Sequence, residues 1–192
     1  MFEQIKEVFS RFTVLSPKDL IQLASISKMK TVKKDDHLLM VGDLNYNISI
    51  VVKGLFRHYV TDENGTEKTL LFVPEKKVTA MIDTLFHNKP STENIVALED
   101  SIIVKIDFRA FEKLASNNIR LLKTQNEGLK EIIAGNVEHI KLLNLLTPEE
   151  RYAYFCKTHP DLEQRIKQKH FASFLGITPT SLSRIKGRGV LE

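Results

Sequence analysis

The sequence predicts an α+β fold, and three observations along the chain support this. Residues 29–106 contain short apolar runs separated by turn residues, a texture typical of antiparallel strands. Residues 117–146 carry apolar side chains at helical spacing, and residues 168–189 contain two short amphipathic segments separated by a glycine. We expect an N-terminal antiparallel β-roll (jelly-roll-like) with flanking helices, a long dimerisation helix and a C-terminal helix-turn-helix domain. The predicted domain ranges are 1–115, 116–146 and 147–192.

The composition excludes several classes of protein. The 192 residues are 42% hydrophobic and 27% charged with a net charge of +4, which is ordinary for a globular protein. The single cysteine, Cys156, can neither form an internal disulfide nor supply a multi-cysteine metal site, so we expect a cytoplasmic protein. No apolar run approaches the length of a membrane span, and the first residues lack a signal-peptide core, so no membrane partner is predicted.

Two helices are predicted before the strands. The first rests on an apolar stripe at helical spacing, formed by Phe2, Ile5, Val8, Phe9 and Phe12. An amphipathic membrane helix is the alternative here, but the mixed acidic and basic residues favour a helix that packs on the protein. A serine followed by a proline at 16–17 predicts the start of the second helix.

Six apolar runs between residues 29 and 106 are predicted to be strands. The turn between the third and fourth runs contains Asn64-Gly65, a strong hairpin signal. Together the runs indicate a compact antiparallel barrel, roll or jelly roll. The runs are 38–41, 48–52, 55–60, 69–73, 95–98 and 102–106.

The segment after the strands is predicted to form one short and one long helix. Asp107 is the predicted N-cap of a helix over 107–115, and Asn117 or Asn118 can cap a long helix that continues to Leu146. One seam of the long helix alternates intervals of four and three residues, the spacing of a coiled coil. The seam contains Leu122, Asn126, Leu129, Ile133, Asn136, Ile140 and Leu143.

A second apolar stripe on the same helix is predicted to pack on the β unit. It contains Leu121, Ile132, Val137 and Leu146. A helix with two apolar faces needs two partners, so we expect the seam to pair with a second copy of the chain. The alternative is a helix buried wholly within one subunit. The two asparagines of the seam weaken it but can fix its register.

The remaining residues predict a helix followed by a helix-turn-helix. Thr147-Pro148 begins the first of these helices, whose predicted buried face contains Tyr152, Phe155 and Cys156. Gly176 accepts the left-handed conformation that ends a helix, and Thr178-Pro179 suits the start of the next. The predicted inward positions are Phe171, Ala172, Leu175, Ile177, Leu182 and Ile185. The predicted outward positions are Thr180, Ser183, Arg184 and Gly187.

The charge of this segment favours a polyanionic partner. Residues 164–191 contain six Lys and Arg residues and no Asp or Glu. A helical hairpin with a solvated basic face is the alternative, but seam, cap and charge together favour binding of double-stranded DNA. We predict that Arg184 contacts a base, while Lys186 and Arg188 contact phosphates. The candidate DNA-binding residues are Thr178, Thr180, Ser181, Ser183, Arg184, Lys186, Arg188 and Lys169.

Taken in order, these motifs resemble those of the Crp/Fnr family of bacterial transcription regulators over nearly the full length of the chain. The resemblance rests on their order rather than on any one motif. It implies a homodimer with an effector domain and a domain that binds palindromic DNA, and RNA polymerase as a partner if the protein is an activator. Its motifs are Gly42-Asp43, Lys53-Gly54-Leu55-Phe56-Arg57, residues 62–67, Pro90-Ser91, residues 97–101 and the terminal helix-turn-helix.

The phosphate-binding cassette departs from the pattern of family members that bind cyclic nucleotides. The resemblance places Met81-Ile82 at the Gly-Glu pair that holds the ribose, and Ser91-Thr92 at the Arg-Ser pair that neutralises the cyclic phosphate. Both charged groups are missing, so we expect neither cyclic AMP nor cyclic GMP as effector. The candidate effector-pocket residues are Ile82, Ser91, Thr92 and Asn136, and a dimer-register role is the preferred interpretation of Asn136.

The sequence gives little support to a metal centre or a catalytic site. An iron–sulfur site needs several cysteines, and His37, His58 and His87 are scattered rather than paired as haem or metal ligands. A cupin enzyme shares the β-roll shape, but it needs clustered histidines with a glutamate on adjacent strands. We therefore predict no enzyme activity, no metal and no certain cofactor, and an effector of unknown identity.

The end of the sequence also departs from the family. Only residues 189–192 follow the predicted recognition helix, so the expected wing hairpin is reduced or absent. This departure favours an alternative, a dimeric effector-binding or interaction protein with a vestigial DNA-binding domain. The acid-free basic segment favours a sequence-specific regulator of transcription, and that is our prediction.

Overall fold

A computed structural model describes residues 8–9 and 14–189. Part of the predicted first stripe (Phe2, Ile5 and Phe12) and residues 190–192 of the tail lie outside the described residues. The helices are α1 (Pro17–Ser25), α2 (Ile82–His87), α3 (Phe108–Ala115), α4 (Ile119–Leu145), α5 (Pro148–Thr158), α6 (Gln168–Phe174) and α7 (Pro179–Gly187), with a 3-10 turn at Glu163–Arg165. The strands are β1 (Ser27–Val32), β2 (His37–Leu39), β3 (Asn47–Lys53), β4 (Phe56–Thr61), β5 (Glu67–Val73), β6 (Val78–Thr79), β7 (Asn94–Ala97) and β8 (Ser101–Asp107).

The predicted helix starts are confirmed by their caps. Ser16 and Asp19 form a capping box at α1, and Thr147 and Glu150 form one at α5. The carboxylate of Asp107 accepts a hydrogen bond from the Ala110 amide at 2.8 Å and caps α3. These caps satisfy amides that have no partner inside the helix, which is why short-range sequence signals located the boundaries.

The strands form two four-stranded sheets with the orders β1-β8-β3-β6 and β2-β7-β4-β5. β8 pairs antiparallel with both β1 and β3, and the second pairing contains an irregularity between Val51 and Lys53. The predicted antiparallel sheet fold is confirmed. Strands β1 and β6 were not predicted from the apolar runs, because β1 carries exposed lysines between less exposed residues and β6 has only two residues.

One apolar core lies where the first sheet meets the helices. Ile50, Val104 and Ile106 from the strands pack with side chains from the helices and are at most 2% exposed. The remaining members of this core are Val8, Phe9, Leu23, Phe111, Ala115 and Leu121. The core therefore anchors the first turn of α4 to the β unit.

A buried carboxylate also fastens α1 to the start of α4. Asp19 is 1% exposed, and its side chain accepts hydrogen bonds from Arg120 Nε at 2.6 Å and Asn118 Nδ2 at 2.6 Å. The Arg120 guanidinium holds the pKa of Asp19 well below its usual range, against the opposing effect of burial, and Ser16 and Asn118 add to the lowering. Asn118 and Arg120 lie 99 and 101 residues from Asp19 in the chain, so no local sequence pattern predicts these hydrogen bonds.

One glycine is required where two segments cross closely. Gly54 has a φ of +106°, and a Cβ at this position would lie 2.1 Å from the Ser101 hydroxyl oxygen. No other residue fits this approach without moving the backbone. Steric exclusion by Ser101 therefore explains the glycine of the Lys53-Gly54 turn.

The chain divides into two compact units. The first comprises Met1–Arg57 with Val73–Ile132, and the second comprises His58–Phe72 with Ile133–Glu192. The hairpin of β4 and β5 thus clusters with the C-terminal residues, and α4 contributes to both units. This division differs from the ranges expected from sequence, because contacts between residues far apart in the chain make each unit compact.

One prediction for α4 was wrong. Val137, expected on the stripe that packs on the β unit, is 43% exposed. At 3.6 residues per turn it lies about 160° around the helix from the buried Leu121, so it cannot share that stripe. Leu142, which the predicted stripes omit, is buried instead.

Candidate nucleic-acid interface

The helix-turn-helix is built on a shared apolar seam in the second unit. Phe171 and Ala172 from α6, Leu175 at its C-cap and Leu182 from α7 are fully buried, and Ile185 is 3% exposed. These predicted inward positions are confirmed. The seam holds α6 and α7 together and leaves one face of α7 exposed.

The turn between the two helices depends on Gly176. Its φ is +69°, and a Cβ here would lie 3.2 Å from Arg151 Nη1 and 3.3 Å from Leu143 Cδ2. The predicted left-handed stop of α6 is therefore confirmed, and close packing adds a second reason for glycine.

Arg151 fastens this turn to the end of α4, a role that sequence analysis missed. Its guanidinium donates to the carbonyls of Leu143 at 2.7 Å, Leu146 at 3.0 Å and Leu175 at 2.8 Å. Carbonyls near the C-terminal ends of helices lack partners within the helix, and an arginine fork can serve several of them.

The start of the recognition helix α7 is capped by Thr178. Its hydroxyl accepts a hydrogen bond from the Ser181 amide at 3.1 Å and lies 2.9 Å from the Ser181 hydroxyl. The Gln168 side chain donates to the Pro179 carbonyl at 3.1 Å. Thr178 and Ser181, both candidate DNA-binding residues, therefore already hydrogen-bond within the cap.

The exposed face of α7 contains the remaining candidates. Thr180, Ser183 and Arg184 are exposed, as predicted, and lie within the first six residues of the helix. No hydrogen bond or ion pair of Arg184 is found within the described residues, so its fork is available to a ligand. Lys169 on α6 is exposed as well.

Lys186, predicted to contact a phosphate, has an acidic partner inside the domain. Its ammonium lies 2.8 Å from Glu163 Oε1 and about 6 Å from the ring centres of Tyr152 and Phe171. The Tyr152 hydroxyl donates to the same carboxylate oxygen at 2.8 Å. Glu163 lies just outside the acid-free segment 164–191, so the linear charge count missed it.

The Glu163 cluster is electrostatically balanced. Burial raises the pKa of Glu163, but hydrogen bonds from Lys186 and Tyr152 outweigh it, and the pKa is lowered overall. Burial, together with the charge of Glu163, raises the pKa of Cys156 to about 11. Its thiol therefore stays protonated at neutral pH, as expected of a buried structural cysteine.

Arg188 is also close to an acidic residue. Its guanidinium lies 3.7 Å from Glu149 Oε1, with 69% of the arginine side chain exposed. A weak, exposed pair of this kind is easily exchanged for another anion. The phosphate contact predicted for Arg188 remains a prediction.

The β4–β5 hairpin packs against α6 within the second unit, a contact that local patterns could not reveal. The Ser173 hydroxyl accepts from the Thr69 amide at 2.8 Å and donates to the Glu67 carbonyl at 3.2 Å. The Phe72 ring lies 5.1 Å from that of Phe174 and 6.4 Å from that of Phe155. These contacts fasten the first helix of the helix-turn-helix to the hairpin.

The candidate effector residues lie in different surroundings. Ser91 is buried, and its hydroxyl donates to the Glu93 carbonyl at 2.7 Å and accepts from the Glu93 amide at 3.2 Å. Thr92 is exposed, and Ile82 lines an apolar pocket. Asn136 is exposed on α4 in the second unit. The effector role of Ser91 stays a prediction, and its hydroxyl already donates and accepts one hydrogen bond within its own turn.

Much of the predicted dimer seam is uncovered in the single chain. Ile133 is 62% exposed, Ile140 is 60% exposed and Leu122 is 41% exposed. Asn126 and Asn136 are also exposed, whereas Leu129 and Leu143 are half-buried. Large aliphatic side chains repeated along one helix face in this way are typical of an interface.

Neither a membrane span nor a metal centre is found in the described parts of the chain. None of the helices described there has the length and hydropathy needed to cross a membrane. Across residues 8–9 and 14–189, no three His, Cys, Asp or Glu side chains are grouped so that they could hold a metal ion.

The chain is similar to known regulators over most of its length. Residues 29–118 match the cyclic nucleotide-binding domain family. The chain is 25% identical to the fumarate and nitrate reduction regulatory protein of Vibrio cholerae, over 91% of this chain and 74% of that protein.

Solved structures share the fold. FixK2 from Bradyrhizobium japonicum superposes with a TM-score of 0.74 at 17% identity, covering 85% of this chain and 84% of that one. A protein from Eubacterium rectale assigned to the Crp/Fnr family gives 0.72 at 16% identity, covering 95% and 87%. The order of motifs, the two-sheet fold and the helix-turn-helix agree with these likenesses, and the chain is similar to transcription regulators of the Crp/Fnr type.

Proposed function

We propose that this Crp/Fnr-type regulator binds palindromic double-stranded DNA as a homodimer and inserts α7 into the major groove. The exposed start of α7 carries the proposal: Thr180, Ser183 and Arg184 lie on one face of a helix whose opposite side is fully buried. A recognition helix enters the groove with its N-terminal half, where the helix dipole also favours anions.

The long helix α4 supports the dimeric part of the proposal. Its exposed aliphatic seam suits a parallel pairing of two copies, and a two-fold axis would present two α7 helices to two half-sites. The two α7 helices would contact the two halves of a palindrome, whose centres lie one turn of DNA apart. If the protein activates transcription, RNA polymerase is the further partner.

Enrichment of bound sequences from random DNA tests the proposal. We expect a palindromic motif with half-sites separated by about one turn of DNA, 10–10.5 base pairs centre to centre. Arg184→Ala is the matched variant, because it removes an exposed side chain without touching the buried seam. Enrichment of a single half-site would contradict the dimer, and unchanged enrichment by the variant would contradict the role of α7.

A second function is favoured by the acidic partners of the basic residues. Glu163 and Glu149 offset Lys186 and Arg188, which reduces the positive charge that α7 presents to a polyanion. A dimeric effector-binding or interaction protein with a vestigial DNA-binding domain would have such an interface. The random-DNA experiment separates the two, since this second function yields no enriched motif.

The proposed activity requires no catalytic step. Regulation by DNA binding needs only a higher affinity for the operator than for other DNA. The proposed function also implies a location in the bacterial cytoplasm, with the chromosome. Cyclic nucleotides are not proposed as effectors, because no arginine stands at the position of the cassette phosphate ligand.

A further inference from the structure

The apolar pocket that Ile82 lines lies on the outer face of the first sheet, within the first unit. It contains about 580 Å³ of space not filled by protein atoms, part of it open to solvent, between that face and helices α2, α3 and α4. About 70 Å³ of this space is wide enough to admit the centre of a water molecule, which suits a small ligand and no larger one. Ile48 and Ile50 line it, whereas the intervening Ser49 lines a separate small pocket with strands β2 and β7. Because alternate residues of a strand point to opposite faces, this pocket is separate from the interior of the roll.

The walls of the outer pocket are almost entirely hydrocarbon. None of its lining side chains is titratable, and the only polar ones are Thr124 and Gln125. The Thr124 hydroxyl already donates to the Arg120 carbonyl at 3.0 Å, one turn back in its own helix. A charged ligand would lose its hydration here without gaining a counter-charge, which excludes nucleotides and other anions.

A glycine in the middle of α4 enlarges this pocket. Gly128 lines it, and a Cβ at this position would meet no heavy atom within 4 Å. Glycine in a helix interior is unfavourable relative to alanine, and here neither a positive φ nor a close contact requires it. The missing side chain instead leaves open space at the wall formed by α4.

We propose that this outer pocket binds a small, uncharged, apolar molecule of about the size of an aromatic ring. Leu129 and Ile132 of α4 also line the pocket, and Leu129 belongs to the predicted dimer seam. A molecule bound here would contact the helix on which dimerisation depends. Its role as an effector rests on the proposed regulatory function, whereas its binding is measured without DNA.

The test is a benzene titration of the full chain followed by NMR of isoleucine δ1 methyl groups. Five isoleucines line the pocket, namely Ile48, Ile50, Ile82, Ile106 and Ile132. We expect their methyl signals to shift together in a saturable way, while exposed isoleucines away from the pocket, such as Ile21 and Ile140, do not move. Absence of a saturable shift, or equal shifts at all isoleucines, would overturn the proposal.

Two glycine variants give the matched control. Gly128→Leu should fill the pocket and weaken benzene binding by about tenfold or more. Gly135→Leu changes a glycine of the same helix that also has open space around it but does not line the pocket, so binding should be retained. Retained affinity in Gly128→Leu, or an equal loss in both folded variants, would overturn the proposal. Either result leaves the DNA-enrichment test unaffected.

Discussion

At the scale of single residues, the partner of each charge decides its role. Arg184, Lys186 and Arg188 look equivalent in a linear count of positive charge, yet Lys186 lies 2.8 Å from a carboxylate and Arg188 has a weak pair at 3.7 Å. Arg184 combines exposure with a place in the N-terminal half of α7. It is therefore the side chain best placed to contact a base edge.

We expect Arg184→Ala to cost about 1–3 kcal/mol of specific binding and to relax preference at one base pair in each half-site. An arginine fork pairs with N7 and O6 of guanine, and alanine offers neither bond. The measurement compares affinities for matched and single-base-changed sites at several salt concentrations. Equal weakening at every site would make Arg184 a phosphate contact and assign base recognition to Thr180 and Ser183.

We expect Glu163→Gln to release Lys186 towards DNA. The carboxamide keeps the shape and can still accept from Tyr152, but it no longer neutralises the ammonium. The dependence of log affinity on log salt should steepen by about 0.9 for each new phosphate contact. A double variant that also carries Lys186→Met is the control and should show no steepening. An unchanged slope in the single variant would mean that Lys186 stays away from phosphate even without its partner.

We expect Asp19 to make stability sensitive to acid. Its folded-state pKa is lowered, so its contribution is present above the unfolded value of about 3.9 and is lost as pH falls towards the folded value. Asp19→Asn should cost about 1–3 kcal/mol at neutral pH, since it weakens charge-assisted hydrogen bonds. Urea unfolding from pH 7 to pH 3 should show a constant difference in stability down to about pH 4 and a difference that begins to narrow below it, because the folded value lies lower still. A constant difference across that range would contradict the assignment.

At the scale of elements, helices with local signals were predicted better than strands without them. The caps of α1, α3, α5 and α7 all stand where the sequence placed them. β1 was missed because its exposed lysines carry no apolar run, and its pairing with β8 lies over 60 residues away. A strand is stabilised by its partner, whereas a helix contains most of its own hydrogen bonds.

We expect Ile133→Glu to convert the dimer into monomers. The substitution would place two like charges across a seam that excludes water. Ala134→Glu is the matched control, because it puts the same charge on an exposed neighbour outside the predicted seam. Sedimentation of both variants is the measurement. A dimer that survives Ile133→Glu would show that the interface lies on another surface.

At the scale of the whole molecule, the fold of a cyclic nucleotide-binding domain does not by itself fix the ligand. Residues 29–118, which match that domain family, form most of the two-sheet roll, and the resemblance predicts no charged residue at the two ligand pairs of its cassette. Fold is set by burial and pairing over many residues, whereas ligand choice depends on a few side chains.

We expect no binding of cyclic AMP at micromolar concentration in isothermal calorimetry. Each missing charge-assisted hydrogen bond is worth about 1.5–3 kcal/mol, and Ser91 already uses its hydroxyl in its own turn. Saturable micromolar binding would contradict this expectation and would mean that other residues neutralise the phosphate. A calorimetric titration with benzene provides the comparison, because benzene is the probe of the proposed apolar pocket.

The sequence by itself determined the parts of this protein that depend on short-range chemistry. Periodicity, caps and the left-handed glycine at 176 predicted the long helix and both helices of the helix-turn-helix, because these features satisfy backbone groups within a few residues. The exposed face of α7 followed from the same spacing. The order of motifs along the chain then indicated the family.

Only the tertiary structure decided which distant groups meet. It paired Asp19 with Arg120, placed Glu163 against Lys186, packed the hairpin against Ser173 and opened a pocket at Gly128. These contacts depend on loop closure and packing across many residues, and no local periodicity encodes them. Which basic side chains are free of an acidic partner could therefore not be predicted from the sequence, because it depends on neighbours that folding brings within a few ångströms.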